Sequence, residues 1–250
     1  DHFRRLLHSA KMLSMKTEFD EESLIQVTLD LLRTDNWKQD IYFRPTFYKA
    51  DLGIGVRLHD IKDEFSIFVM AYEKYVKNDT SAHVTFSSWR RVDDNVIPAR
   101  AKVAGAYVNS SLIKSDAVQS GFDEALVLDH NGHVSEGSAM NIFMVRDGAL
   151  VTPPITDNIL EGITRRTVIE LARRELGIDV VERSIDRTEV YIAEEMFFAG
   201  TAAGVTGITK VDHRPVGRGV MGPVTSQLRA LVDDAVRAKL PKYEHWNVAV

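Results

Sequence analysis

The sequence contains no cysteine. That absence excludes disulfide frameworks, thiolate nucleophiles and cysteine-based zinc sites. It fits a reducing compartment, and a cytoplasmic protein is the expectation. Long apolar runs are also lacking. The best candidate, Phe65–Tyr72, has the length of a buried strand and falls far short of the ~18–20 residues of a membrane-spanning helix. The first twenty residues carry charges throughout and hold no apolar signal-peptide core. Positive charge is not in excess: 31 Lys and Arg face 36 Asp and Glu, for a net charge of -5. A general nucleic-acid binder is usually basic, so neither nucleic acid nor membrane is expected as a partner. Neither the H-E-x-x-H pattern of zinc peptidases nor the G-x-S-x-G elbow of serine hydrolases occurs, and there is no internal repeat. What remains is a chain of 250 residues, long enough to bury roughly three quarters of its unfolded surface without covalent staples.

Hydrophobic spacing predicts helices over Phe3–Lys16 and Glu21–Arg33, followed by β-rich runs at Ile41–Tyr48, Phe65–Tyr72 and His83–Trp89. Asp93-Asp94-Asn95 and Pro98 interrupt both periodicities. They predict a joint at residues 93–99 between a small domain, 1–92, and a larger one, 100–250. Beyond it the pattern predicts a helix over Tyr107–Gln119, closed by Gly121. Strands are predicted at Glu124–Leu128, Ile142–Val145, Ala149–Val151, Asp179–Ile185, Glu195–Ala199 and Val205–Val211. Two more helices are predicted at Ile163–Leu176 and Val224–Leu240. Asp129–Gly132 and Arg146-Asp147-Gly148 are turn chemistry between β-rich runs. No clean β-α-β alternation emerges, so the fold class is α+β with mixed sheets.

Three reactive types stand in unusual settings. Lys102 sits among Ala99, Ala101, Val103, Ala104, Gly105 and Ala106, a run that would desolvate its amine and lower its pKa. Tyr107 follows five residues on, and Glu136 precedes Gly137-Ser138-Ala139. An amine for a Schiff base, a phenol for a ring oxygen and a carboxylate for a ring nitrogen are what a protein needs to hold pyridoxal phosphate. Each residue alone has an ordinary structural reading. Two glycine-containing loops strengthen the set: Leu160-Glu161-Gly162-Ile163-Thr164 opens a helix, and Gly200-Thr201-Ala202-Ala203-Gly204 follows a strand. Helix-start N–H groups and threonine hydroxyls suit a phosphate. By contrast, Gly217-Arg-Gly219-Val-Met-Gly222 matches G-x-G-x-x-G but lacks the βαβ context of a dinucleotide site. His130 and His133 flank Asn131-Gly132 and read as parts of a solvated hairpin, so no metal is assigned.

Taken together, these blocks resemble the class IV (fold type IV) pyridoxal-phosphate-dependent aminotransferases, most closely the branched-chain amino-acid group. The matching pieces are Tyr42-Phe-Arg44-Pro45, Ala101–Tyr107, Ser135-Glu136-Gly137 with Asn141, Leu160–Arg165, Gly200–Ala203 and Gly222-Pro223-Val224-Thr225, in the family's order. The resemblance implies a small α/β N-terminal domain and a larger C-terminal mixed-sheet pseudo-barrel. It implies Lys102 as the Schiff-base lysine and proton carrier, Tyr107 at the ring oxygen and Glu136 at the ring nitrogen. Arg5, Ile163, Thr164 and Thr201 would meet the phosphate; Tyr42, Arg44, Ala202 and Ala203 would meet the substrate. Amino-acid and keto-acid substrates and a homodimer or larger homo-oligomer follow from the same resemblance.

Two departures from the family pattern stand out. The family carries roughly fifty further residues upstream, including the first strands of the small domain, an interval longer than any ordinary loop. Met140 and Gly204 also stand where many branched-chain members have glutamates. The rival readings are a D-amino-acid or (R)-amine aminotransferase or an aminodeoxychorismate lyase of the same fold, and a non-catalytic protein that retains the fold.

Overall fold

The computed structural model describes residues 1–72 and 78–250. The described chain forms two compact units, residues 1–72 with 249–250, and 78–248. In the first, helices α1 (His2–Met12) and α2 (Glu21–Asp35) accompany an antiparallel ribbon of β1 (Ile41–Lys49) and β2 (Asp63–Ala71). Helix α1 stops short of Lys16 because the chain turns at Ser14, whose φ is 53°. Helix α2 starts where its sequence provides a reciprocal cap: Asp20 accepts from the Ser23 N–H, and the Ser23 hydroxyl accepts from the Asp20 N–H. Phe19, Phe47 and Phe65 cluster under the ribbon, with centroids 4.8–6.3 Å apart. Lys49 Nζ lies 2.8 Å from Asp63 Oδ1 and ties the two strands at their ends.

The second unit is one mixed sheet dressed by helices. Its strands are β3 (Ala82–Arg90), β4 (Glu124–Leu128), β5 (Val134–Gly137), β6 (Asn141–Arg146), β7 (Ala149–Thr152), β8 (Val180–Glu182), β9 (Glu195–Gly200), β10 (Gly204–Val211) and β11 (Arg214–Pro215). They run in the order β5-β4-β3-β10-β9-β6-β7-β8, with β11 paired to β10. The β3–β4, β3–β10 and β7–β8 pairs are parallel and the others antiparallel, giving the α+β class expected from the sequence. Strand β3 lies between β4 and β10. Residues 82–90 therefore belong to the second unit, and the division falls before residue 78 rather than at 93–99. Both of its parallel partners are distant in sequence, so no local signal marks the assignment.

Central strands are buried on both faces and alternate between two cores. Ile142 and Met144 of β6, Met196 and Phe198 of β9, and Leu126 of β4 join one cluster. Phe143, Val145, Phe197 and Ala199 turn the other way. They pack under α4 (Ile163–Glu175), which contributes Val168, Leu171 and Ala172, and under α5 (Pro223–Val236), which contributes Leu228 and Val232. Ala125 and Val127 pack on Ile113 and Ala117 of α3 (Tyr107–Gln119). Each fully buried Leu or Phe contributes about 1.5–3 kcal/mol of burial. Phe143 and Phe197 face each other across β6 and β9 with stacked rings 5.0 Å apart. The β6–β7 turn is the two-residue Asp147-Gly148, with φ of 50° and 76°, the left-handed pair that a tight hairpin requires.

The last helix ends at Val236 rather than Leu240, because Ala238 takes a φ of 52° and a short 3-10 turn follows over Pro241–Trp246. The glycines of the G-x-G-x-x-G match have structural duties. A Cβ at Gly217 would lie 2.1 Å from the Glu194 carbonyl oxygen, and one at Gly222 would lie 2.1 Å from the Glu195 carboxyl carbon.

Candidate active site

Glu136 is the best-buried charged group of the predicted set, at 3% exposure. A bulge places it. Val134 pairs with Leu128 but Glu136 pairs with Val127, so one extra residue breaks the alternation of β5. Glu136 thereby shares the face of Val127, on the helix side of the sheet. Arg91 Nη2 lies 2.9 Å from Glu136 Oε1. Asn141 Nδ2 donates to Oε2 at 3.2 Å, and the Leu160 N–H donates to the same oxygen at 3.1 Å. Burial pushes the Glu136 carboxyl above the ordinary glutamate range, opposed by the charge of Arg91, the Leu160 N–H and the charge of Lys102. A carboxylate offers about four lone-pair sites. Among the described residues three donors occupy this one, which leaves one site on Oε1 for a further donor.

Asn141 draws the remaining pieces together. Its amide also donates to the Leu160 carbonyl at 2.9 Å. Its Oδ1 lies so close to Gly162 that a Cβ there would approach to 2.0 Å. Its backbone pairs with Ala199, one residue before Gly200. Gly162, the N-cap of α4, has no side chain to cap the helix, and among the described residues no other side chain accepts from the Ile163 or Thr164 N–H. The Ile163 and Thr164 end of α4 therefore presents the positive pole of a helix beside the Glu136 cluster. Arg165 is third in the helix. It is buried and donates to the Pro153 carbonyl at 2.9 Å and to Glu182 at 2.7 Å, anchoring α4 to the sheet. Thr201, Ala202 and Ala203 form the tight β9–β10 turn, completed by Gly204 at φ 58°.

Lys102 stands in a run of short turns between Pro98 and α3: Ala101 N–H bonds Pro98 O, and Val103 N–H bonds Ala101 O. Its ammonium donates to the Tyr107 hydroxyl and lies 5.0 Å from the centre of that ring. The small neighbours do not wrap it as the sequence suggested. Ala99 and Ala101 are buried, and the Lys102 side chain emerges into solvent. The segment is fixed from behind. Arg100 bridges Asp94 at 3.3 Å and Glu161 at 3.1 Å, and Arg91 Nε donates to the Asn158 carbonyl at 3.1 Å. The lysine segment and the loop leading to α4 are thus tied together.

In the first unit, Tyr42 and Arg44 sit on one face of β1. Arg44 Nη2 reaches the Tyr42 hydroxyl at 3.4 Å, and its guanidinium stacks 5.6 Å from the Phe68 ring centre. Arg5 lies half-buried on α1, its carbonyl accepting from Ser9 Oγ at 2.8 Å. Sequence reasoning missed Arg91 and the Leu160 N–H, and gave Asn141 no role. Asn141 carried a signal, since it belongs to the block that begins at Ser135. Arg91 had only its place after Arg90 at a strand end.

Residues 1–211 match the model of the Amino-transferase class IV family. The chain belongs to the class IV aminotransferases. Within that family, it is 44% identical to a probable branched-chain-amino-acid aminotransferase of Aquifex aeolicus, over all of this chain and 80% of that protein. It is 38% identical to the branched-chain-amino-acid aminotransferase of Pseudomonas aeruginosa, over all of this chain and 81% of that protein. Among solved structures, the branched-chain amino acid aminotransferase of Thermobaculum terrenum in PLP-form superposes with a TM-score of 0.93 at 40% identity, covering 98% of this chain and 80% of that one. The family and fold expected from the ordered blocks are borne out. No helix among the described residues of this aminotransferase is long and apolar enough to cross a membrane.

Proposed function

We propose that this class IV aminotransferase moves the amino group of a branched-chain L-amino acid to a keto acid such as 2-oxoglutarate. The enzyme is a pyridoxal-phosphate-dependent transaminase, and that cofactor supplies the electron sink for cleavage of the bond to the Cα proton. The observation that carries the residue assignment is the convergence on Asn141 of a buried carboxylate with one lone pair to spare and a helix start with no side-chain cap. Glu136, a buried carboxylate held by Arg91, Asn141 and the Leu160 N–H, suits a protonated pyridine nitrogen. The first-turn N–H groups of Ile163 and Thr164, with the Thr201 hydroxyl, suit the phosphate. Lys102 is the amine that holds the cofactor and carries the Cα proton, and Tyr107, in contact with that amine, orients it and meets the ring oxygen.

Arg5 is assigned to the phosphate, and Tyr42, Arg44, Ala202 and Ala203 to the substrate. The guanidinium of Arg44, steadied by Tyr42 and Phe68, is suited to a carboxylate. The branched-chain preference rests on the relatives named above, each of which carries that name. A homodimer in the cytoplasm completes the proposal.

The test is spectroscopic and kinetic. Cofactor-loaded protein is expected to absorb in the visible and to lose that band on adding L-leucine. Lys102→Ala is expected to abolish the band and to lower turnover by at least about a thousandfold. Retention of both by Lys102→Ala would sink the assignment of Lys102. Preference for D-alanine or a chiral amine over L-leucine would replace the substrate reading with the rival group.

A further inference from the structure

His130 and His133 bracket the tip of the β4–β5 hairpin, and their fates differ. His130 lies in solvent, 60% exposed, its Nδ1 2.8 Å from Asp93. The His133 ring turns inward. A ring nitrogen of His133 and one carboxylate oxygen each from Asp129 and Asp157 lie within 4.8 Å of one another. Asp129 is 2% exposed and Asp157 is 6% exposed. Asp157 accepts a hydrogen bond from the Ser184 side chain, while its buried Oδ2 has no hydrogen-bond partner among the described residues. A cation held between these two neighbouring carboxylates would satisfy the oxygen left open on Asp157. Arg90 does not supply it, because its Nη1 goes to the Asp129 backbone carbonyl at 2.9 Å.

We propose that Asp129, His133 and Asp157 form a zinc-class divalent metal site that clamps the β4–β5 hairpin to the loop over residues 153–162. Two carboxylate oxygens and one imidazole nitrogen are a borderline donor set. It suits Zn²⁺ and its transition-metal neighbours better than Ca²⁺ or Mg²⁺, which favour oxygen alone. Ligands about 2.1 Å from a zinc ion stand within about 4.2 Å of each other, so a small inward rotation of the side chains closes the site. Surrounding contacts hold the ligands for this purpose. The His133 N–H donates to Asp129 Oδ1 at 2.9 Å, and Ser135 Oγ donates to the Asp157 carbonyl at 2.6 Å. Asp186, 78% exposed, places an outer carboxylate 3.7 Å from His133 Nε2, beyond direct hydrogen-bond reach. The side chain of His133 is 36% exposed, which leaves a path for the ion and a position for water.

The site has a mechanical consequence. Asp157 belongs to the loop that carries Asn158, bonded by Arg91, and Leu160, bonded to Glu136. An ion at Asp157 stiffens that loop just before Asn158 and Leu160. The test is a titration of chelator-treated, cofactor-loaded protein with zinc sulfate, followed by calorimetry and by thermal unfolding. One saturable site is expected, with a rise in Tm of roughly 5–10 °C at a zinc concentration about a hundred times Kd. Asp157→Asn and His133→Ala, each checked for a normal cofactor spectrum, are each expected to weaken zinc binding at least about thirtyfold. His130→Ala, the neighbouring histidine, is expected to leave it unchanged. Absence of a saturable site, or equal binding by both ligand variants and the parent, overturns the proposal.

Discussion

Helices α4 and α5 both begin directly after a glycine, and the two starts have opposite uses. At α5, the Glu195 carboxylate fills the space that a Gly222 side chain would take. It accepts from the N–H groups of Val224 at 3.1 Å and Thr225 at 2.7 Å, and from Thr225 Oγ1 at 2.7 Å. Pro223 at the first position has no N–H to satisfy. The helix start is thus closed by a charge from within the protein. At α4, Gly162 gives room to Asn141 instead, whose amide turns away toward Glu136 and Leu160. Among the described residues no side chain accepts from the Ile163 or Thr164 N–H. A glycine before a helix therefore does not mark an anion site. What marks it is the lack of an internal carboxylate at the donors, and this separates Gly-Ile-Thr from Gly-Pro-Val-Thr within one chain.

The comparison can be broken by adding one methyl group at each start. Gly162→Ala is expected to have the larger functional effect. Its Cβ would sit 2.0 Å from Asn141 Oδ1, so the amide must swing and release Glu136 and the Leu160 carbonyl. Cofactor affinity should fall about a hundredfold, as expected for an ångström-scale displacement of binding groups. Titration of the cofactor-free protein by absorbance measures this. An unchanged affinity would remove Asn141 from the centre of the site. Gly222→Ala is expected to act on stability instead. It displaces the Glu195 carboxylate and leaves two helix N–H groups unpaired, at a cost of about 2–4 kcal/mol. Denaturant unfolding should show that loss, while the cofactor affinity of the folded fraction stays within about threefold of the parent. A hundredfold loss of affinity in Gly222→Ala would erase the distinction between the two starts.

The contrast also shows how far the sequence could be read. Glu124–Leu128 and Tyr107–Gln119 emerge with the bounds that spacing predicts, because short apolar runs and a closing glycine are local signals. Strand β5 was visible only in part, since Val-Ser-Glu-Gly is polar and its burial comes from a bulge and from distant partners. The membership of β3 in the large sheet depends on parallel pairing with strands that come much later in the chain. At the site, the ordered blocks pointed to Lys102, Tyr107, Glu136, Gly162 and Thr201 through residue type and order. The partners of Glu136 were hidden, because Arg91 and Leu160 converge on it from opposite sides in sequence. The exposure of Lys102 was misjudged for a related reason: alanines beside it in sequence bury themselves and leave the amine outside.

A third helix start gives the smallest effect and the sharpest control. Helix α2 closes its first turn with its own residues, Asp20 and Ser23, both at the surface. Hydrogen bonds from the Ser23 backbone and hydroxyl hold the Asp20 carboxyl below the ordinary aspartate range, against a slight opposing effect of burial. A folded-state pKa below the unfolded one stabilises the helix start at pH values above about 3.9, and that contribution disappears as pH falls through the lower folded value. Asp20→Ala is therefore expected to speed hydrogen exchange at the Ser23 amide near neutral pH. The difference between variant and parent, each corrected for intrinsic exchange, should close as the solution is acidified past the aspartate range. A difference that persists in acid would mean that the carboxylate charge is not what closes the turn. If no difference appears at neutral pH, a surface cap of this kind leaves its helix start as open as that of α4, and the lack of a side-chain cap at Ile163 and Thr164 could no longer distinguish an anion site.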